Sequence, residues 1–395
     1  MYLKKMLLVS SIILFVCCSK SNSESAQSLP VANSATANIV RPDITSSVKI
    51  KVDLSTNYTK DVSIQYATTD GTAKAGKDYT AASGTLTIPA GSSSGYIDVV
   101  IAGDSLRQSQ QKFSVSLSNP VNCTLKSNTI DIYISNDGTY LPFDTTGYKS
   151  PDSYPGYILK WSDEFNTKDI NATNWKFETG TGSNGWGNNE LENYTSRSQN
   201  AFTSGGSLII EARQETYNSS AYTSARMVSA GLQEFQFGHI DIRAKLPVAK
   251  GMWPAIWMLG SNISQAGWPK CGEMDIMELV GTYPSRVTST LHWANAAGND
   301  MLKGTNYSIL NADFSQQFHV FSADWKQDTI AFSVDGNLFL TVTNNDIAPL
   351  NNPFNSPFFF ILNVAVGGNW PGPPDGTTVF PQRMYVDYVR VFAKQ

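Results

Sequence analysis

Along most of the chain, apolar and polar residues alternate with a period of two, the spacing of a half-buried β-strand. Between Asp43 and Asp137 five runs follow this spacing: Val62–Tyr66, Gly84–Ile88, Tyr96–Ile101, Phe113–Leu117 and Ile130–Ile134. Gly, Asp and Pro punctuate them, so a small β-sandwich is predicted over residues 43–137. Residues 138–155 carry Pro, Gly, Asp and Ser without apolar alternation and are expected to form a linker. From Gly156 to Gln395 strand-length runs return, among them Ser207–Ala212, His239–Ala244, Thr329–Val334 and Phe358–Asn363, with little helical periodicity. One large jelly-roll sandwich accommodates that length. The predicted fold class is all-β, in two modules.

The first residues follow a different pattern. Lys4 and Lys5 precede an apolar run, Met6 to Val16, that is too short to span a bilayer. It stops at Cys17 and Cys18, and a polar stretch follows. This resembles a bacterial lipoprotein signal over residues 1–18, with 19–42 as a polar tether and Cys18 favoured over Cys17 as the lipidated residue. The alternative is an ordinary cleaved secretory signal with incidental cysteines. The expected location is the cell envelope, as a lipoprotein of the outer membrane or cell surface. Cys123 and Cys271 fall in different modules, so two buried free thiols are expected rather than a disulfide.

The first module carries the string Tyr66-Ala-Thr-Thr-Asp70-Gly-Thr-Ala, then Ala75-Gly-Lys-Asp78-Tyr79, Gly84-Thr-Leu-Thr-Ile-Pro-Ala-Gly91 and Leu117-Ser-Asn-Pro120. It resembles a Calx-beta domain. Calcium sites in that family rely on clustered acidic residues. Here Gln110 and Gln111 stand in place of the acidic pair, and the closing acidic run is Asp137 alone. Calcium needs several oxygen ligands, so a spacer or adhesion role is expected of this module.

The candidate chemistry lies in Cys271-Gly-Glu273-Met-Asp275-Ile-Met-Glu278-Leu-Val-Gly281. On a strand, Glu273 and Asp275 share one face. Glu278 joins them only if a β-bulge near Ile276-Met277 absorbs one residue, which leaves Met274, Ile276 and Leu279 facing the core. Three acids in a row repel one another, so one carboxyl stays ionised while another is pushed up toward neutrality. That division of roles suits glycosidic cleavage. A solvated acidic strand or a cation site is the alternative reading of the same residue types.

The Glu-x-Asp-x-x-Glu row resembles the signature of glycoside hydrolase family 16 in its bulged, laminarinase form. Further matches are Gly185-Trp-Gly-Asn-Asn-Glu190-Leu, Gly251-Met-Trp-Pro-Ala-Ile-Trp-Met-Leu259, Thr290-Leu-His-Trp293, Asn363-Val-Ala-Val-Gly-Gly-Asn-Trp370-Pro-Gly and Val386-Asp-Tyr-Val-Arg-Val391. The resemblance implies a catalytic domain over 156–395, with Glu273 as nucleophile, Glu278 as general acid/base and Asp275 steering the proton between them. It also implies retention of configuration, which needs carboxyl groups about 5–5.5 Å apart. The two backbones lie roughly 13 Å apart at about 3.3 Å per paired position, so the side chains must lean together over Asp275.

Around these acids, His292 is expected to face the row, on a hairpin centred near Tyr283-Pro284 that pairs position 292 with 275. Trp253 and Trp257 share a strand face and can stack on glucose rings, although Pro254 suggests an edge or bulge there. Trp186, Asn189 and Trp370 fall in Gly-rich segments expected to form loops over a cleft. Arg226 matches a binding-face position in the family, or forms a surface salt bridge. His239 and Asp241 stand where the family commonly has Arg and Glu, and Glu192 and Asn193 where it commonly has Gln and Tyr. Glu164, Gly206 and Asp387 match the positions of a structural calcium held by backbone oxygens and one Asp. No cofactor is expected for catalysis.

Composition narrows the partners. Charged residues are only 16% of the chain and the net charge is −4, without a basic run for phosphate backbones. Nucleic acid is excluded as a partner. The expected partners are a β-glucan chain and, through the anchor, a membrane, with the protein a monomer. The leading expectation is endo-cleavage of β-1,3-glucan; the alternatives are mixed-linkage β-1,3-1,4-glucan, sulfated galactan, or silent glucan binding on the same fold.

Overall fold

The computed structural model describes residues 27–138, 140–347 and 352–395. The signal, with Cys17 and Cys18, lies outside the described residues. Two compact units divide the chain, one built from segments within residues 1–134 and the other holding residues 135–395 with two short earlier segments.

The first unit is a sandwich of a four-stranded and a five-stranded sheet. All five predicted runs are strands within it, at Val62–Asp70, Ser83–Ile88, Ser94–Ile101, Arg107–Val121 and Thr129–Asp137. Their inward residues, including Ile64, Ile97, Val115 and Ile132, form one core. The tether is shorter than expected, because Val31–Asn33 and Ala37–Val40 are also strands of this unit. Ala32 pairs with Leu54 and is fully buried. Runs of three and four residues hold too little alternation to stand out from polar surroundings, so the start of the module is corrected from residue 43 to Val31.

The second unit is also two-layered. One sheet has ten strands and includes Ser207–Tyr217, Gly238–Lys245, His319–Lys326 and Gln382–Lys394. The other runs in the order Lys176–Glu178, Arg226–Val228, Phe358–Val366, Met252–Gly260, Glu273–Glu278, Arg286–Ala294, Asp300–Ser308. Side chains from both, such as Ile240, Ile242 and Val389 against Ile256, Met274 and Leu362, share one large core. Each such side chain contributes about 1.5–3 kcal/mol by leaving water. The seven-stranded sheet turns its other face outward, and that face carries the site.

Residues 138–155 are not a free linker but a strap on the ten-stranded sheet. Arg243 donates to the carbonyls of Tyr148 (2.6 Å) and Thr145 (2.8 Å), and Lys245 to that of Asp144 (3.0 Å). The Ser150 amide donates to the Tyr388 hydroxyl, and the Tyr154 hydroxyl donates to Asp241 at 2.7 Å. His239 bridges Asp241 and Asp324 beside it. The two departures at His239 and Asp241 thus belong to one polar network that fastens the strap. Backbone carbonyls carry much of this docking, so the segment shows no apolar period and reads as loose in sequence.

Candidate active site

The acid strand Glu273–Glu278 is clamped between the tryptophan strand Met252–Gly260 and the histidine strand Arg286–Ala294. Glycines frame it. Gly272 has φ +81°, a left-handed conformation that few other residues adopt, and a side chain at Gly281 would collide with the Ala249 carbonyl. On the tryptophan strand Trp257 lies opposite Asp275 and Ala255 opposite Glu278; on the histidine strand Thr290 and Thr288 take those places. Two residues on each neighbour therefore span three on the acid strand, which is the expected bulge. It brings Glu273, Asp275 and Glu278 to the outward face and sends Met274, Ile276, Met277 and Leu279 into the core.

The hairpin register differs from expectation. His292 pairs with Glu273, and Asp275 with Thr290. The bulge uses an extra residue of the acid strand, and the turn centres on Tyr283, so the partners shift by two positions. The His292 ring still faces the acids, with Nε2 3.5 Å from Asp275 Oδ2 and Nδ1 3.1 Å from Asp300 Oδ2. Pro254 does not mark an edge. Its strand is interior, and Pro254 falls just past the last pair with the acid strand, so the N–H it lacks is not missed there.

Burial dominates the electrostatics. It raises the carboxyl of Glu273 to about 7, with Glu278's charge adding to the rise while His292 and the Trp268 indole N–H (2.8 Å) oppose it. Burial likewise raises Glu278 to about 7 against the Trp253 indole N–H at 3.0 Å. Asp275, 3% exposed and with no donor to Oδ2, is raised well above the usual range by burial and then by Glu273 and Glu278. The row thus contains two carboxyls poised near neutrality, the arrangement needed when one group must donate and the other attack.

A cleft of about 660 Å³ runs over this row. Trp253, Trp257, Trp186, Trp370, Arg226 and His292 all line it. Trp370 stands edge-on to Trp253 at 5.6 Å. Arg226 is neither a simple surface salt bridge nor free: it pairs with Glu178 at 2.6 Å and stacks between Trp186 (4.7 Å) and Trp257 (4.8 Å). Asn189 is corrected. It is not among the residues that line the cleft; its amide donates to Asn369 Oδ1 at 2.9 Å, and Asn188 lines the cleft instead. Glu192 is buried beneath, its Oε2 accepting from the Val366 amide. Burial and then Glu190 hold it well above the usual range.

Several contributors escaped the sequence reading. Trp268 belongs to a Gly-Trp-Pro loop without periodicity, and Asp300 to the next strand of the hairpin. Asn363, which accepts from the Trp257 indole at 2.8 Å, is a polar residue in an otherwise apolar strand. That interruption was the one available signal. For the calcium positions, Arg390 takes both oxygens of Glu164 at 2.9 Å and Arg243 takes Asp387 Oδ2 at 2.8 Å. Both carboxylates are engaged by cations and the Ser207 hydroxyl lies 3.5 Å from Asp387 Oδ1, so the set does not fit an ion held by two carboxylates.

A jelly-roll sandwich whose outward sheet carries paired acids beneath an indole-walled groove defines a polysaccharide-cleaving hydrolase. The model of Glycosyl hydrolases family 16 matches residues 188–390, and that of the Calx-beta domain matches residues 31–138. The chain is 40% identical to the beta-glucanase of Rhodothermus marinus, over 62% of the chain and 88% of the relative. It is 36% identical to glucan endo-1,3-beta-glucosidase A1 of Niallia circulans, over 61% of the chain. It spans 38% of that relative, and 34% of the clotting factor G alpha subunit of Tachypleus tridentatus. The laminarinase catalytic domain of Thermotoga maritima superposes with a TM-score of 0.57 at 46% identity, over 60% of this chain and 99% of that one. The chain belongs to glycosyl hydrolases family 16 and carries a Calx-beta domain ahead of the catalytic unit.

Proposed function

We propose that the protein is a retaining endo-glycosidase that hydrolyses β-1,3-glucosidic bonds in laminarin-type glucans. The observation that carries the reading is the bulged acid strand, with Glu273 and Glu278 facing one tryptophan-lined cleft and both raised to about 7. Ionised Glu273 attacks the anomeric carbon while protonated Glu278 gives its proton to the departing glycosidic oxygen. Glu278 then takes a proton from water, which releases the sugar from Glu273. Burial of Asp275 between them opposes a third negative charge in the row. Indole faces at Trp253, Trp257 and Trp370 suit uncharged glucose rings. Glu273, Glu278 and Asp300 in the lining disfavour sulfated chains.

Reducing-end release from laminarin, lichenan and agarose tests the substrate. Laminarin should be cut fastest, to a ladder of oligosaccharides. Faster cleavage of lichenan would transfer the reading to mixed-linkage glucan, and binding without cleavage of any would overturn it.

Anchoring at Cys18 is part of the proposal and rests on the apolar run that ends at the cysteine pair. Radiolabelled palmitate should enter the full chain in a bacterial host and be lost in Cys18→Ser. Equal labelling of that variant would remove Cys18 from the role.

A further inference from the structure

Glu273, Asp275 and His292 each offer a donor atom, and these lie within 4.8 Å of one another. Acidic clusters are common without ions, but three further features single this one out. Asp275 Oδ2 is buried and receives no hydrogen bond. His292 Nδ1 is held by Asp300 at 3.1 Å, so that with Nδ1 as the donor Nε2 is the nitrogen left to face the row; such carboxylate backing is how metal-binding histidines are oriented. Nε2 and Asp275 Oδ2 then face each other at 3.5 Å, close to the about 3.4 Å edge of a tetrahedron with ligand bonds of about 2.1 Å. On Glu273 the Trp268 indole occupies Oε2 and leaves Oε1 to turn inward.

We propose that the acid row doubles as an inhibitory metal site: Glu273, Asp275 and His292 chelate a divalent transition ion, with Zn²⁺ the best fit, in a complex that blocks hydrolysis. One imidazole with two carboxylates suits a borderline ion better than calcium or magnesium, which prefer oxygen alone. The cleft leaves the fourth position to water. A bound ion occupies the nucleophile, so zinc and glucan exclude each other. Of the remaining histidines, His239 has both ring nitrogens engaged by Asp241 and Asp324, and His319 has Nδ1 held by Asp335, elsewhere in the unit.

Calorimetric titration of the chelator-treated full chain with ZnCl₂ reads the site directly and does not depend on which glucan is the substrate. One ion per chain is expected. The affinity should fall at least tenfold in His292→Asn, and about 10–100-fold in Asp300→Asn, where only the backing is removed. Both variants are checked for an unchanged melting temperature, and bound Co²⁺ should show the visible bands of a four-coordinate site in the wild type only. Absence of binding to the wild type, or equal affinity in wild type, His292→Asn and Asp300→Asn, overturns the proposal. So does zinc binding that a saturating β-1,3-glucan oligosaccharide fails to displace while that sugar still binds.

Discussion

Glu273 and Glu278 share a problem that sets the working pH. Both are raised to about 7, chiefly by burial, and they titrate as a pair rather than as two independent groups. Below that range the nucleophile is protonated and cannot attack; above it the acid has lost the proton it must give. kcat/KM is therefore predicted to follow a narrow bell with its maximum near pH 7, and a flat profile from pH 5 to 9 would contradict the shifts. The sign also fixes the effect on stability. A carboxyl raised in the folded state favours folding below its unfolded value and loses that contribution as pH climbs through about 7. At this scale the sequence was informative, because three acids two to five residues apart are costly anywhere else. Trp268 and Asp300 were not legible, since what matters about them is contact across a hairpin rather than spacing.

At the scale of elements, the bulge is the part that sequence alone could supply: parity puts Glu278 on the wrong face, and one absorbed residue corrects it. Register was less legible, and His292 came out opposite Glu273 because bulge and turn length add up in ways that residue types do not encode. Residues 138–155 show the limit most clearly. Alternation detects strands that bury one face, whereas this strap is fastened by side chains of Arg243, Lys245 and Tyr388 reaching its backbone. Arg243 is 1% exposed, so removing the strap takes away its two carbonyl partners and leaves Asp387 as its counter-charge, a loss on the order of 1–3 kcal/mol. A catalytic unit starting at residue 156 should melt several degrees below one starting at residue 140. Equal melting temperatures would mean that the strap contributes nothing.

For the whole molecule, two all-β units follow one another in a chain of low charge, and among the described residues the second presents paired acids on a groove. The acidic, indole-rich lining and the net charge of −4 both favour an uncharged polysaccharide. The central claim is that one bulged strand places Glu273 and Glu278 on opposite sides of the same anomeric carbon. The most direct test is azide rescue with an activated aryl β-glycoside of a β-1,3-linked glucose disaccharide. In Glu273→Ala, azide should enter the vacated nucleophile position and yield the α-glycosyl azide; in Glu278→Ala, it should intercept the glycosyl-enzyme and yield the β-glycosyl azide. The same anomer from both variants, or the two products exchanged, would contradict the assignment.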